Sequence, residues 1–145
     1  QCYENEKIVG EEIAESGIPR EEFFITTKLW VTHHGTERTK AAIEASLKEL
    51  GTSYIDLYLI HGPGNDGQSP EEIRELRKES WRVMEELHEK GTLRSIGVSN
   101  FEPRHIDELL ECSSVTPAVN QFENHAYLAQ VELRDYCKSR GIVTE

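Results

Sequence analysis

No window of this sequence approaches the roughly 18 uninterrupted apolar residues that a membrane-crossing helix requires, so a bilayer span is not expected. Cysteine is scarce too. Cys2, Cys112 and Cys137 are odd in number and widely spaced, with no C-x-x-C pair. Neither a disulfide framework nor a zinc knuckle is indicated, and a reducing, cytoplasmic setting fits best. The first residues, Gln1-Cys2-Tyr3, include neither an initiator Met nor a signal-like segment, and the chain reads as beginning mid-element. Positive charge is in the minority: 16 Lys and Arg stand against 27 Asp and Glu, a net charge of −11. Such a surface repels phosphate backbones and anionic membranes, so nucleic acid and membrane are not expected partners. An anionic cofactor remains compatible, because a few local cations and backbone N–H groups hold phosphate even against an acidic background. The chain also lacks a G-x-G-x-x-G fingerprint, tandem repeats and low-complexity segments.

What is present is the composition of one soluble domain, residues 1–145, with 37% apolar and 30% charged residues. A repeated punctuation organises it. In "ELGTSYIDLYLIH", "EKGTLRSIGVSN" and "SRGIVTE", a glycine closes a helical pattern and a β-rich run follows. Gly51, Gly91 and Gly141 therefore read as residues just past helix ends, where a left-handed conformation costs glycine nothing. Helices are predicted over residues 37–50 with Thr36 as N-cap, from Ser69-Pro70-Glu71-Glu72 (a capping box with Pro at the first position) to Gly91, over 103–110, and over 131–140. The β-like runs are "FFITTKLW", "YIDLYLIH", "LRSIGVSN", "PAVNQ" and "GIVTE". Strands alternating with helices imply right-handed βαβ units, an α/β fold and a parallel sheet whose strands are buried on both faces.

The ends of these strands are chemically unusual. The first reaches Lys28, the second His61, the third Ser99 and Asn100, and the fourth Asn120 and Gln121. In a parallel sheet all C-terminal strand ends lie on one edge, where α/β folds place their active sites. Each residue alone reads as a rim histidine or a solvated cation; four strands ending this way share one cause, a common pocket. Trp30, just beyond Lys28, is a candidate pocket wall as well as a packing residue. His33-His34 carries no third ligand at metal spacing, so no metal is expected. His88 and His105 read as solvated on helix faces, His125 as structural, and Trp81 as a helix-to-sheet packing residue.

The segments "CYENEKIVGEEI", "PREEFFITTKLW", "YIDLYLIHGP", "GTLRSIGVSNF" and "PAVNQFENHAYL" resemble, in order and spacing, the successive signatures of the aldo-keto reductases. The resemblance implies a (β/α)8 TIM barrel that reduces aldehydes or ketones with NADPH, less often NADH, and without a metal. It gives Tyr3 the role of proton donor, Lys28 that of lowering the tyrosine pKa, and His61 that of orienting the substrate carbonyl. An unperturbed phenol titrates near ~10. An adjacent ammonium brings that value down towards useful acid–base range. Ser99, Asn100 and Gln121 correspond to the residues that hold the nicotinamide carboxamide, and Trp30 lies where it would touch substrate.

By the family's plan the chain runs from about the second helix to the start of the seventh strand, an incomplete barrel. The aspartate partner of the lysine and the segments that hold the cofactor phosphates have no counterpart here. Gly62 stands where a tryptophan is common, which widens the expected pocket, and Ala126 where a proline is. The resemblance also leaves open a non-catalytic reading, a nicotinamide-binding or structural protein on the same scaffold. A chain with open sheet edges is expected to self-associate and to have negligible reductase activity alone.

Overall fold

A computed structural model describes residues 4–64 and 68–145. The elements run α1 (Glu6–Glu15), β1 (Thr26–Leu29), α2 (Thr36–Glu49), β2 (Leu57–Ile60), α3 (Pro70–Glu89), β3 (Ile96–Ser99), α4 (Pro103–Leu110), β4 (Val119–Gln121), α5 (Val131–Ser139) and β5 (Val143–Thr144). The five strands form one sheet in sequence order, β1-β2-β3-β4-β5, and every neighbouring pair is parallel. The α/β reading holds, and each expected strand is present.

The register separates the two faces. Lys28 pairs with Leu59, Leu59 with Gly97, and Ser99 with Gln121. Because side chains alternate along a strand, Lys28, Leu59, Gly97, Ser99, Val119 and Gln121 lie on one face. Leu29, Tyr58, Ile60, Ile96 and Val98 lie on the other. The second set joins Ile43, Trp81, Met84, Ile106, Leu109 and Cys137 in the main apolar core, so this is the face that the helices cover. Trp81 is 1% exposed and packs there, as its spacing predicts. Gly97 is required by close approach: a Cβ there would meet the Val119 carbonyl oxygen at 2.6 Å and Leu59 Cδ2 at 2.7 Å.

Burial on both faces holds only for β2 and β3. Strand β1 is half-buried up to Leu29, β4 buries only Asn120, and Val143 of β5 is exposed. The physical reason is position: among the described residues β1 and β5 are the outer strands, while β2 and β3 have a strand on either side. Helix ends follow the expected chemistry, with one correction. Gly51, Gly91 and Gly141 have φ of 63°, 75° and 72°. Ser69 Oγ accepts from the Glu72 N–H at 3.2 Å while Glu72 Oε2 accepts from the Ser69 N–H at 2.9 Å, completing the box. The N-cap of α2 is Gly35, not Thr36. Its φ of 105° suits glycine, and Thr36 is drawn into the helix, where its N–H and Oγ donate to Glu79 Oε2.

Candidate functional site

The C-terminal strand ends meet as the alternation requires. The N–H of His61 donates to the Leu29 carbonyl at 3.0 Å, which carries β2 one residue beyond its last ladder pair and sets the imidazole beside the end of β1. By the same alternation His61 follows Leu57 and Leu59 onto the face that carries Lys28. The Trp30 indole meets the His61 ring edge-on, with centroids 4.9 Å apart and planes at 80°. Half-burial, and then the nearby Lys28 charge, push the His61 pKa below its ordinary value. At neutral pH this imidazole is a neutral group, with one ring N–H to donate.

Asn100 ties three strand ends together. Its Nδ2 donates to the His61 carbonyl at 2.9 Å and to Ser99 Oγ at 3.1 Å, and its N–H donates to the Gln121 carbonyl at 2.8 Å. The backbone there is left-handed, φ 59°, a conformation that asparagine tolerates better than most side chains. Ser99 is buried, whereas Gln121 is half-buried and Asn100 exposed. Lys28, Trp30, His61, Ser99, Asn100 and Gln121 thus gather at one edge. Hydroxyl and amide groups in this set match the C=O and NH₂ of a carboxamide, so the donor set fits a nicotinamide ring. Tyr3 lies outside the described residues.

Asn120 is the strand-end residue that does not join them. It points to the helix face, fully buried, where its Nδ2 donates to the Phe101 carbonyl at 2.9 Å and approaches Cys137 Sγ at 3.6 Å. It holds the backbone that follows Asn100. A period of two counted from Gln121 separates these adjacent residues in the sequence itself.

His34, His88 and His105 are less solvated than their positions suggest. His34 is 3% exposed, and burial, reinforced by Arg77 and Arg38, lowers its pKa to about 4. His105 is half-buried and accepts from the Glu102 N–H through Nδ1 at 3.2 Å. His88 Nδ1 lies 2.8 Å from the Leu93 carbonyl. His125 is exposed, with Nε2 3.0 Å from Glu123 Oε1. Arg77, which carries no sequence signal beyond its helix position, is buried. It donates to the Pro63 carbonyl and to Glu108, pinning the segment after His61 to α3 and α4. Gly62 is buried, and a Cβ there would lie 3.2 Å from Val31 Cγ1, so the turn after Trp30 packs directly on this backbone.

Comparison with known proteins bears on family and fold. The sequence model described as the aldo/keto reductase family matches residues 1–144. The chain is 50% identical over 143 residues to a glyoxal reductase of Bacillus subtilis, covering 99% of this chain and 49% of that protein. An aldo/keto reductase crystal structure from Brucella melitensis superposes with a TM-score of 0.91 at 45% identity, covering 99% of this chain and 53% of that one. A Bombyx mori aldo-keto reductase solved in complex with NADP superposes with a TM-score of 0.86 at 38% identity, covering 99% of this chain and 48% of that one. The chain spans about half the length of the relatives that it matches.

Proposed function

We propose that this chain, which belongs to the aldo/keto reductase family and forms part of its (β/α)8 barrel, carries the catalytic portion of a reductase that converts aldehydes or ketones to alcohols with NADPH, or less favourably NADH. The observation that carries the reading is the register. Lys28, Ser99 and Gln121 share one sheet face, and His61 continues it at the same edge.

The bound nicotinamide would supply hydride to the carbonyl carbon. The residues of this chain do the rest. As negative charge develops on the carbonyl oxygen, the Tyr3 hydroxyl gives up its proton and the neutral His61 imidazole donates a hydrogen bond that orients and stabilises that oxygen. Its lowered pKa suits this part, because a neutral ring donates without carrying a charge of its own. The Lys28 ammonium favours the phenolate that Tyr3 becomes. Ser99, Asn100 and Gln121 hold the carboxamide and so decide which ring face meets the substrate, while Trp30 walls the pocket and fixes the His61 ring edge-on.

The decisive measurement is NADPH oxidation with a panel of small aldehydes and ketones. It should be run on this chain and on a longer polypeptide that contains it, with cofactor binding followed by nicotinamide fluorescence. Saturable turnover by the longer polypeptide, lost with Tyr3→Phe, and negligible turnover by this chain alone are the expected results. Cofactor binding with no turnover on any carbonyl would assign a nicotinamide-binding protein instead.

A further inference from the structure

Of the side chains that α3 buries, Arg77, Ser80, Trp81, Val83 and Met84, one is charged. Taking a guanidinium out of water is costly, and a buried ion pair adds little stability over an apolar residue in its place. If Arg77 served only to join α3 to α4, its bond to Glu108 would suffice. The other arm of the guanidinium reaches the Pro63 carbonyl, in the loop that follows His61.

That loop needs an external hold. His61-Gly62-Pro63-Gly64 belongs to no helix or strand, and the glycines on both sides of Pro63 leave its backbone free to turn. The strand end fixes it at His61, whose N–H donates to Leu29 and whose carbonyl accepts from Asn100. Arg77 fixes it again at Pro63 with a charge-assisted bond. Ile73, one helical turn before Arg77, packs on Gly64, where a Cβ would lie 2.9 Å from Ile73 Cγ2. Between the fixed points Gly62 rests on Val31. The same stripe of α3 holds the loop after β1. Ser80 Oγ accepts from the Gly35 N–H at 2.9 Å, and Leu76 Cδ2 would lie 3.1 Å from a Cβ on Gly35. Ile73, Leu76, Arg77 and Ser80 share one side of the helix by their spacing. The two loops meet each other at Val31 on Gly62 and at the Trp30 ring on the His61 ring.

We propose that Arg77 is a positioning residue for the carbonyl-binding side of the site: holding the Pro63 carbonyl while Ser80 holds Gly35, it keeps the Trp30 wall and the His61 imidazole in one relative position. Its action runs through the loop backbone and not through the reacting atoms. Its effect on turnover rests on the reductase reading, whereas its effect on the placement of His61 does not.

The test uses a longer polypeptide that contains this chain, with isotope-labelled histidine rings and a pH well above the ordinary histidine value. His61→Ala assigns the His61 resonances. Arg77→Met keeps the apolar stem and removes the charge. It should move the His61 ring resonances, which the Trp30 ring current displaces, and leave those of His88 and His125 in place. His34 and His105 feel the Arg77 charge itself and are no control. For carbonyl reduction, kcat/KM should fall by about 10- to 100-fold, the scale of a misplaced catalytic group, with NADPH affinity unchanged. In a His61→Ala background the same substitution should cost less than about threefold, because no imidazole is left to place. An arginine that only stabilises the fold would cost the same in both backgrounds. Equal losses, or His61 resonances that do not move, would overturn the inference. If the unaltered polypeptide reduces no carbonyl, the reductase reading fails by itself and the His61 resonances alone decide: movement supports the placement, and constancy overturns it. Should Arg77→Met fail to fold by circular dichroism, Arg77→Lys takes its place. It keeps the charge but offers one ammonium instead of a fork, so the same outcomes are expected at smaller size.

Discussion

The two ends of the same strands are built on opposite principles. At the N-terminal end of β2, Asp56 is 3% exposed and every contact compensates it. It accepts from the Ile25 N–H at 3.0 Å, Arg20 at 2.7 Å and Arg94 at 3.1 Å. Both guanidinium groups stack on Tyr54, at 4.1 and 3.7 Å from the ring centroid. Burial alone would raise the Asp56 pKa, but the Ile25 N–H and the Arg20 guanidinium outweigh it and hold the carboxyl below its usual range. At the C-terminal end, Lys28, His61, Asn100 and Gln121 remain half-buried or exposed, able to meet a molecule from outside. A charge network satisfied within the chain contributes to stability. Polar groups presented at an open edge contribute little to it and are the material of a site.

The comparison breaks most sharply on activity. In an active polypeptide containing this chain, Tyr3→Phe should lower carbonyl reduction by several orders of magnitude with little change in cofactor affinity or melting temperature, since it removes a proton and leaves the ring. Comparable turnover by the Phe variant would move the acid, first to His61. The mirror-image variant is Asp56→Ala. It strands Arg20 and the Ile25 N–H, and should cost about 3–5 kcal/mol of stability in a urea titration. A loss below about 1 kcal/mol would mean that this network is no more than a surface pair.

How much of this could be read in the residues depends on whether a signal is local. Gly51, Gly91 and Gly141 were legible as helix ends because the left-handed backbone is a property of the single position, and all three have positive φ. The five parallel strands and the strand-end cluster were legible because a period of two and a βαβ order constrain them without any knowledge of partners. Asn120 and Gln121 are alike in residue type, and only the period of two along the strand puts them on opposite faces. The charge of Arg77 reaches His34, and Ser80 accepts from the neighbouring Gly35 N–H, both from more than forty positions away, and nothing in "VTHHGT" reports that surrounding. The Asp56 network was missed for the same reason: Arg20 and Arg94 converge on it from positions 36 and 38 residues distant.

His34 sharpens the contrast through pH. Its pKa in the folded chain is about 4 against an ordinary 6.5, so between those values the unfolded chain binds the proton that the folded chain refuses. Stability from this site is therefore complete above pH 6.5 and is lost as the pH falls towards about 4. The slope reaches at most about 1.4 kcal/mol per pH unit. His34→Leu, which keeps the site apolar and cannot be protonated, should flatten the stability profile in that window. If the profile keeps its slope, another group is responsible.

The smallest effect belongs to the cap of α3, which sits near the C-terminal edge yet is satisfied within the chain. Ser69 and Glu72 exchange two hydrogen bonds, each meeting a backbone N–H that the first helical turn leaves over. Ser69→Ala removes one of them from an exposed position, where water replaces it in part, so the cost should be about 1 kcal/mol. Fraying would reach the turn that begins at Pro70 and stop short of Arg77, Ser80 and Trp81, which are buried and hold the helix by side-chain contact. The expected signature is a modest fall in urea midpoint with no change in carbonyl reduction. A larger fall in activity than in stability would show that the first turn of α3 shapes the site, and that nearness to the edge, not openness to solvent, is what marks a residue there as functional.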